Sequence, residues 1–91
     1  MRQLNKNKET MNRILVIDDE ESIRNTLQEI LEYEKYNVDL AAEGKEALEL
    51  LKKTEYNLIL CDIKMPNMDG IEVLERVKIL FPDTPMVMIS G

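Results

Sequence analysis

Four short apolar runs, at positions 14–17 (ILVI), 38–42 (VDLAA), 58–61 (LILC) and 86–89 (MVMI), are separated by three segments whose apolar residues recur at helical spacing. The first and third runs are continuous, which is the pattern of strands buried on both faces in a parallel sheet covered by helices. Between the runs the period changes. Ile23, Leu27, Ile30 and Leu31 fall at i, i+4, i+7 and i+8 and predict one helix face. Asp19, Glu20, Glu21 and Ser22 precede it and supply capping groups and negative charge for its positive end. Ala47, Leu48 and Leu51 mark a second helix that opens near Gly44 and fades at Lys52 and Lys53, whose charges suit the negative end of the macrodipole. Val73, Leu74, Val77 and Phe81 mark a third, stopped by Pro82. Strand and helix alternate through short links, so the expected fold class is α/β, a doubly wound parallel sheet with right-handed crossovers.

Composition narrows the function classes. A chain of 91 residues, 44% hydrophobic and 33% charged, makes one globular domain. The net charge of −6 disfavours contact with a phosphate backbone and excludes direct nucleic-acid binding as the first reading. There is no His, which removes Ser-His and Cys-His catalysis and imidazole zinc sites. One Cys allows no internal disulfide, and no apolar stretch is long enough to span a membrane, so a cytoplasmic setting is expected. Residues 1–12 lack apolar periodicity and read as a disordered leader, with Met11 an alternative start. That leader carries +2, so the folded part, residues 13–91, carries −8.

The acidic excess is concentrated where it can do chemistry. In open α/β sheets ligands bind outside the carboxyl ends of the strands. Asp18 and Asp19 follow the first strand and Asp62 follows the third, so these carboxylates converge if the two strands are neighbours. Like charges ~4 Å apart repel by about 4 kcal/mol at an effective dielectric of 20. Either one acid takes up a proton, or a hard divalent cation such as Mg²⁺ binds. The cation reading suggests phosphoryl chemistry, with Asp62 as the group phosphorylated. An Asp-Asp pair after a strand is by itself most often a helix cap.

The joint occurrence of ILVIDDE at 14–20, LILCDIKMPNMDG at 58–70 and VMIS at 87–90 resembles the receiver domain of bacterial two-component response regulators, the family of the chemotaxis response regulator. The resemblance implies a flavodoxin-like sheet of order 2-1-3-4 here, which places the first and third strands side by side. It implies that Asp62 is the phosphoacceptor and that Asp19 and Asp62 bind Mg²⁺ directly. It further implies that Asp18 acts through water, that the Lys64 backbone carbonyl is a third metal ligand, and that Ser90 is the hydroxyl that turns toward the phosphoryl group. Pro66 and Gly70 match the turn residues of the family's loop. The partner implied is a sensor histidine kinase, met through the first helix, where Asn25 is among the candidates. The wording DIKMPNMDG is similar to receivers joined to transcription-activating ATPase and DNA-binding domains.

Family domains have five strands and five helices, and this chain has no counterpart of the last helix-strand-helix portion, including its active-site lysine. Residues 13–91 are therefore expected to form a truncated receiver. Lys64 does not replace that lysine by motif. The fourth strand and part of the sheet face formed by the first and third strands are expected to be exposed, which points to a homodimer or higher oligomer. Two other readings compete with a phosphorelay acceptor. A phosphatase of the haloacid dehalogenase type needs a second acid two residues after its nucleophile. Lys64 follows Asp62 at that spacing, so the signature fails there, and Glu20 after Asp18 is an acid but not the aspartate of that signature, so it fails there too. The remaining alternative is a fragment without phosphotransfer competence that self-associates through its sheet edge.

Other residues have plainer expectations. Cys61 reads as a small apolar core residue. Met65, Met68, Met86 and Met88 read as core and loop packing. Glu43, Glu46 and Glu49 with Lys45, Lys52 and Lys53 read as a solvated helix face. Tyr33, Tyr36 and Tyr56 read as half-buried rings with wet hydroxyls at element ends.

Overall fold

The computed structural model describes residues 12–65 and 70–89. Strands β1 (Arg13–Ile17), β2 (Asn37–Ala41), β3 (Leu58–Asp62) and β4 (Met86–Ile89) alternate with helices α1 (Glu21–Tyr33), α2 (Gly44–Lys53) and α3 (Gly70–Leu80). The four strands form one parallel sheet in the order β2-β1-β3-β4. All seven predicted elements are present, and the neighbouring of β1 and β3 is established by the pairs Ile14 with Leu58 and Ile17 with Cys61.

Register divides the side chains between two faces of unequal cover. Leu15 and Ile17 from β1, Ile59 and Cys61 from β3 and Ala41 from β2 form one buried cluster with Ala47, Leu48 and Leu51 of α2 and Val73 and Val77 of α3. Phe81, Met86 and Met88 pack against this cluster, and Met65 belongs to it. Apolar area removed from water there, at about 25 cal/mol per Å², is the main force holding two helices on one face.

Among the described residues the opposite face carries only α1, lying over β2 and β1. The exposure expected for β4 and for part of this sheet face is found only in part, since Ile14 and Val16 of β1 are buried. No residue of α1 is buried, and Ile23 and Ile30 are 39% and 55% exposed although they lie on its apolar stripe. Val87 of β4, in register with Leu60, is 47% exposed. The helix forms on the 3.6-residue period as expected, but a period specifies which side is apolar and not how much covers it.

Helix ends also differ in detail from expectation. No side chain caps α1, whose N-cap is Glu20. Only the acidic charge at its first turn, from Glu21, stands as read. At its other end the Tyr36 N–H donates to the Leu31 carbonyl at 3.1 Å and the Lys35 N–H to the Glu32 carbonyl at 2.9 Å, a Schellman closure. Lys35 takes the left-handed conformation that closure requires, at φ 77°. At α2, whose N-cap Glu43 has no side-chain cap, the Glu46 carboxylate accepts the Ala42 N–H at 2.8 Å, so one member of the acidic face ties the helix to the residue that follows β2. Glu49 pairs with Lys52 on the same face at 3.5 Å.

Tyr56 departs furthest from its expected setting. It is 6% exposed, and its hydroxyl donates to Asp39 Oδ2 at 2.6 Å while Arg13 Nη1 approaches the same oxygen at 3.4 Å. Its hydroxyl is thus held by a carboxylate, and burial with the neighbouring Asp39 pushes its pKa upward. Tyr33, 83% exposed, is wetter than expected.

Candidate metal and phosphoryl site

Parallel pairing brings the carboxyl ends of β1 and β3 level. Ile17 stands opposite Cys61, so the residues that follow or close those strands, Asp18 and Asp62, emerge side by side. A carboxylate oxygen from each of Asp18, Asp19 and Asp62 lies within 4.8 Å of the others. Asp18 is buried, Asp62 half-buried and Asp19 exposed. The convergence expected from the sequence is therefore present.

Three points fix Asp18. Its N–H donates to the Ala41 carbonyl at 3.1 Å, extending the β1-β2 ladder by one residue. Its Oδ1 accepts the Glu20 N–H at 2.9 Å, which closes an Asx turn into α1. Its carbonyl accepts from Arg24 Nη1 at 2.9 Å. Burial raises the Asp18 pKa above 3.8, opposed by the Glu20 hydrogen bond, with Asp62 and Asp19 adding to the rise and Arg24 opposing it. A cation beside these carboxylates would favour the charged form of Asp18.

Asp62 closes β3. Its Oδ1 accepts the Lys64 N–H at 3.3 Å, and the Lys64 side chain is exposed. The chain returns at Gly70, whose N–H donates to the Ile63 carbonyl at 2.6 Å, so α3 begins directly against the end of β3. Ile63 in turn donates to Ile89 at 3.0 Å, carrying the β3-β4 ladder past Asp62. Cys61, fully buried beneath, has its thiol pushed up to about 12 by burial and by the charges of Asp62 and Asp18. Pro66, Met68 and Ser90, read from the sequence as loop and sensing residues, lie outside the described residues.

All donors in this cluster are hard oxygens, the set that suits Mg²⁺, which is held by one or two carboxylates with waters and a phosphate oxygen. Arg24 is the participant the sequence reading missed. Its signal was a basic side chain in the first turn of a helix, where the macrodipole disfavours one unless acids surround it.

Residues 14–91 match the response regulator receiver domain. The chain belongs to the receiver-domain family of response regulators. Over 78 residues it is 42% identical to the transcriptional regulatory protein ZraR of Escherichia coli, covering 86% of this chain and 18% of that protein. Over 79 residues it is 37% identical to sporulation initiation phosphotransferase F of Bacillus subtilis, covering 87% of this chain and 64% of that one. The chain thus spans less than two thirds of either relative. A crystal structure of the response regulator TrrA from Thermotoga maritima in complex with Mg²⁺-BeF superposes with a TM-score of 0.84 at 39% identity, over 88% of this chain and 70% of that one. The strand order β2-β1-β3-β4 is flavodoxin-like, in keeping with this structural likeness. Among the described residues no helix is long and apolar enough to cross a membrane.

Proposed function

We propose that this receiver accepts a phosphoryl group on Asp62 from the phosphohistidine of a sensor histidine kinase. The observation that carries the reading is the convergence of Asp18, Asp19 and Asp62 at the end of β1 and β3. In the transfer an Asp62 carboxylate oxygen attacks phosphorus, the P–N bond to the donor imidazole breaks, the imidazole takes up a proton, and an acyl phosphate forms. Asp19, Asp62 and the Lys64 carbonyl would hold Mg²⁺ directly, and Asp18 would act on it through water. When bound, Mg²⁺ supplies the positive charge that lets an anionic donor approach a carboxylate.

The residues of the chain position and exclude. The Lys64 N–H orients Asp62 through Oδ1, and the Glu20 N–H orients Asp18. Ser90, next in sequence after β4, serves as the hydroxyl that senses the phosphoryl group. The chain acts as a signalling module in the cytoplasm, and its product is a shifted conformational equilibrium passed to a transcriptional output. Saturable binding of beryllofluoride in the presence of Mg²⁺, lost in Asp62→Ala, is the expected result. A folded chain that binds none defeats the reading.

A second reading rests on a separate observation, the exposure of Val87 on a strand whose partner among the described residues is β3 alone. An uncharged edge such as MVMI favours pairing with another strand, and self-association without phosphotransfer follows from it. Light scattering at micromolar concentration tests this: dimers or larger species support it, and a monomer counts against it.

A further inference from the structure

We propose that Arg24 is a positioning residue of the acidic site, holding the Asp18 carbonyl so that Asp18 and Asp19 present their carboxylates to a divalent cation. The proposal rests on the receiver reading of the cluster and adds a residue to it.

Arg24 sits in the first turn of α1, where its main-chain N–H makes the opening helical bond to the Glu20 carbonyl at 3.0 Å. Glu20 and Glu21 are close by in sequence, yet its guanidinium donates to a main-chain carbonyl, that of Asp18, at 2.9 Å. A guanidinium is a rigid fork with five donors and no acceptor, so a carbonyl held by it is fixed in direction as well as distance. The Asp18 peptide is where this matters. Its N–H is tied to β2 and its Oδ1 to the Glu20 N–H, while the carbonyl that links Asp18 to Asp19 is tied to α1 through Arg24. Rotation of that one peptide swings Asp19, exposed and otherwise free to turn, relative to Asp18 and Asp62. Arg24 blocks the rotation.

Charge and position make opposite predictions here, which makes the assignment testable. A cation beside a Mg²⁺ site opposes the ion electrostatically, so a guanidinium acting by charge alone weakens binding and its removal strengthens it. A guanidinium acting through the turn strengthens binding. Loss of an outer partner that orients metal ligands costs about 10-fold or more in affinity.

The experiment compares the full chain with Arg24→Ala and Arg24→Lys by calorimetric titration with Mg²⁺ alone and by amide hydrogen exchange without Mg²⁺. Positioning predicts about a 10-fold weaker Mg²⁺ affinity in Arg24→Ala, with most of it restored in Arg24→Lys. It also predicts faster exchange at the Glu20 amide while the Ile59 amide in β3 is unchanged. Equal or tighter Mg²⁺ binding in Arg24→Ala overturns the proposal, as does acceleration of exchange throughout the sheet, which marks a merely structural role. A wild-type chain that takes up no Mg²⁺ overturns the receiver reading instead. In that case the Glu20 exchange rate alone decides whether Arg24 orders the turn.

Discussion

Gly70 lies against the main chain of Asp62: a methyl group in place of its hydrogen would overlap the Asp62 carbonyl oxygen and come within 2.7 Å of the Ile63 Cα. The obstacle is backbone, which cannot turn aside as a side chain can. Gly→Ala in a helix ordinarily stabilises by about 1 kcal/mol. Gly70→Ala is expected to reverse that sign and destabilise by about 2 kcal/mol through overpacking. Urea unfolding of the two proteins checks it, and the loss of midpoint should come without a change in m.

Asp18 carries a stability cost that a bound cation would remove. Its folded-state pKa is raised above 3.8, mainly by burial, so the folded chain holds that proton more tightly than the unfolded chain. The slope of stability with pH is therefore negative for this group. Its contribution is present below pH 3.8 and is lost as pH rises through the raised value. Asp18→Asn should stabilise the metal-free protein at neutral pH and remove that part of the pH dependence. It should also blunt the Mg²⁺ response, which in the unaltered chain reaches about 2.7 kcal/mol at a hundred times the Kd. Thermal melts with and without Mg²⁺ at several pH values separate the two effects.

Tyr56→Phe removes the 2.6 Å hydrogen bond to Asp39 and leaves that carboxylate to Arg13. Hydrogen bonds to charged groups contribute about 1.5–3 kcal/mol, so a loss of about 2 kcal/mol is expected in chemical unfolding. Mg²⁺ affinity should not move, because the change lies away from the Asp18, Asp19 and Asp62 cluster.

Cys61 is fully buried with its thiol pushed up to about 12, so at pH 8 it is protonated as well as inaccessible. A thiol-specific reagent should label the native chain only at the rate of opening. Labelling that rises with urea along the unfolding curve is the expected outcome, and fast labelling without denaturant refutes it.

Lys35 pays for the close of α1 by standing at φ 77°. A left-handed conformation costs a residue with a Cβ roughly 1 kcal/mol. Lys35→Gly should therefore raise stability by up to about 1 kcal/mol, read as a higher urea midpoint.

The order of elements and the three acids of the site were legible because each depends on local pattern. Continuous runs such as LILC announce buried strands, and an abrupt change to acid at Asp18 and Asp62 marks where those strands end. What the chain did not disclose were relations across distance. Tyr56 finds Asp39 seventeen residues back, a pairing that register creates and no spacing encodes. Arg24 reads as one more charge on a helix until the fold shows it bonded to a carbonyl. The Asp19 to Ser22 stretch looked like a capping side chain, whereas Asp18, one position earlier, takes the Glu20 N–H. The apolar stripe of α1 was read correctly as a stripe, yet the amount of surface it leaves open depends on what lies over the sheet.

That poorly covered helix and the acidic pocket share one stretch of chain, since the turn bearing Asp18 and Asp19 is also the lead-in to α1. A helix with no buried residue opens more readily than the buried strand beneath it. Any ion gripped by those acids must then tether the helix as well, and whatever orders the helix must sharpen the grip on the ion, by the reciprocity that linked equilibria obey. Metal loading and the docking of Glu21–Tyr33 would in this sense be two coupled equilibria, each read from its own end.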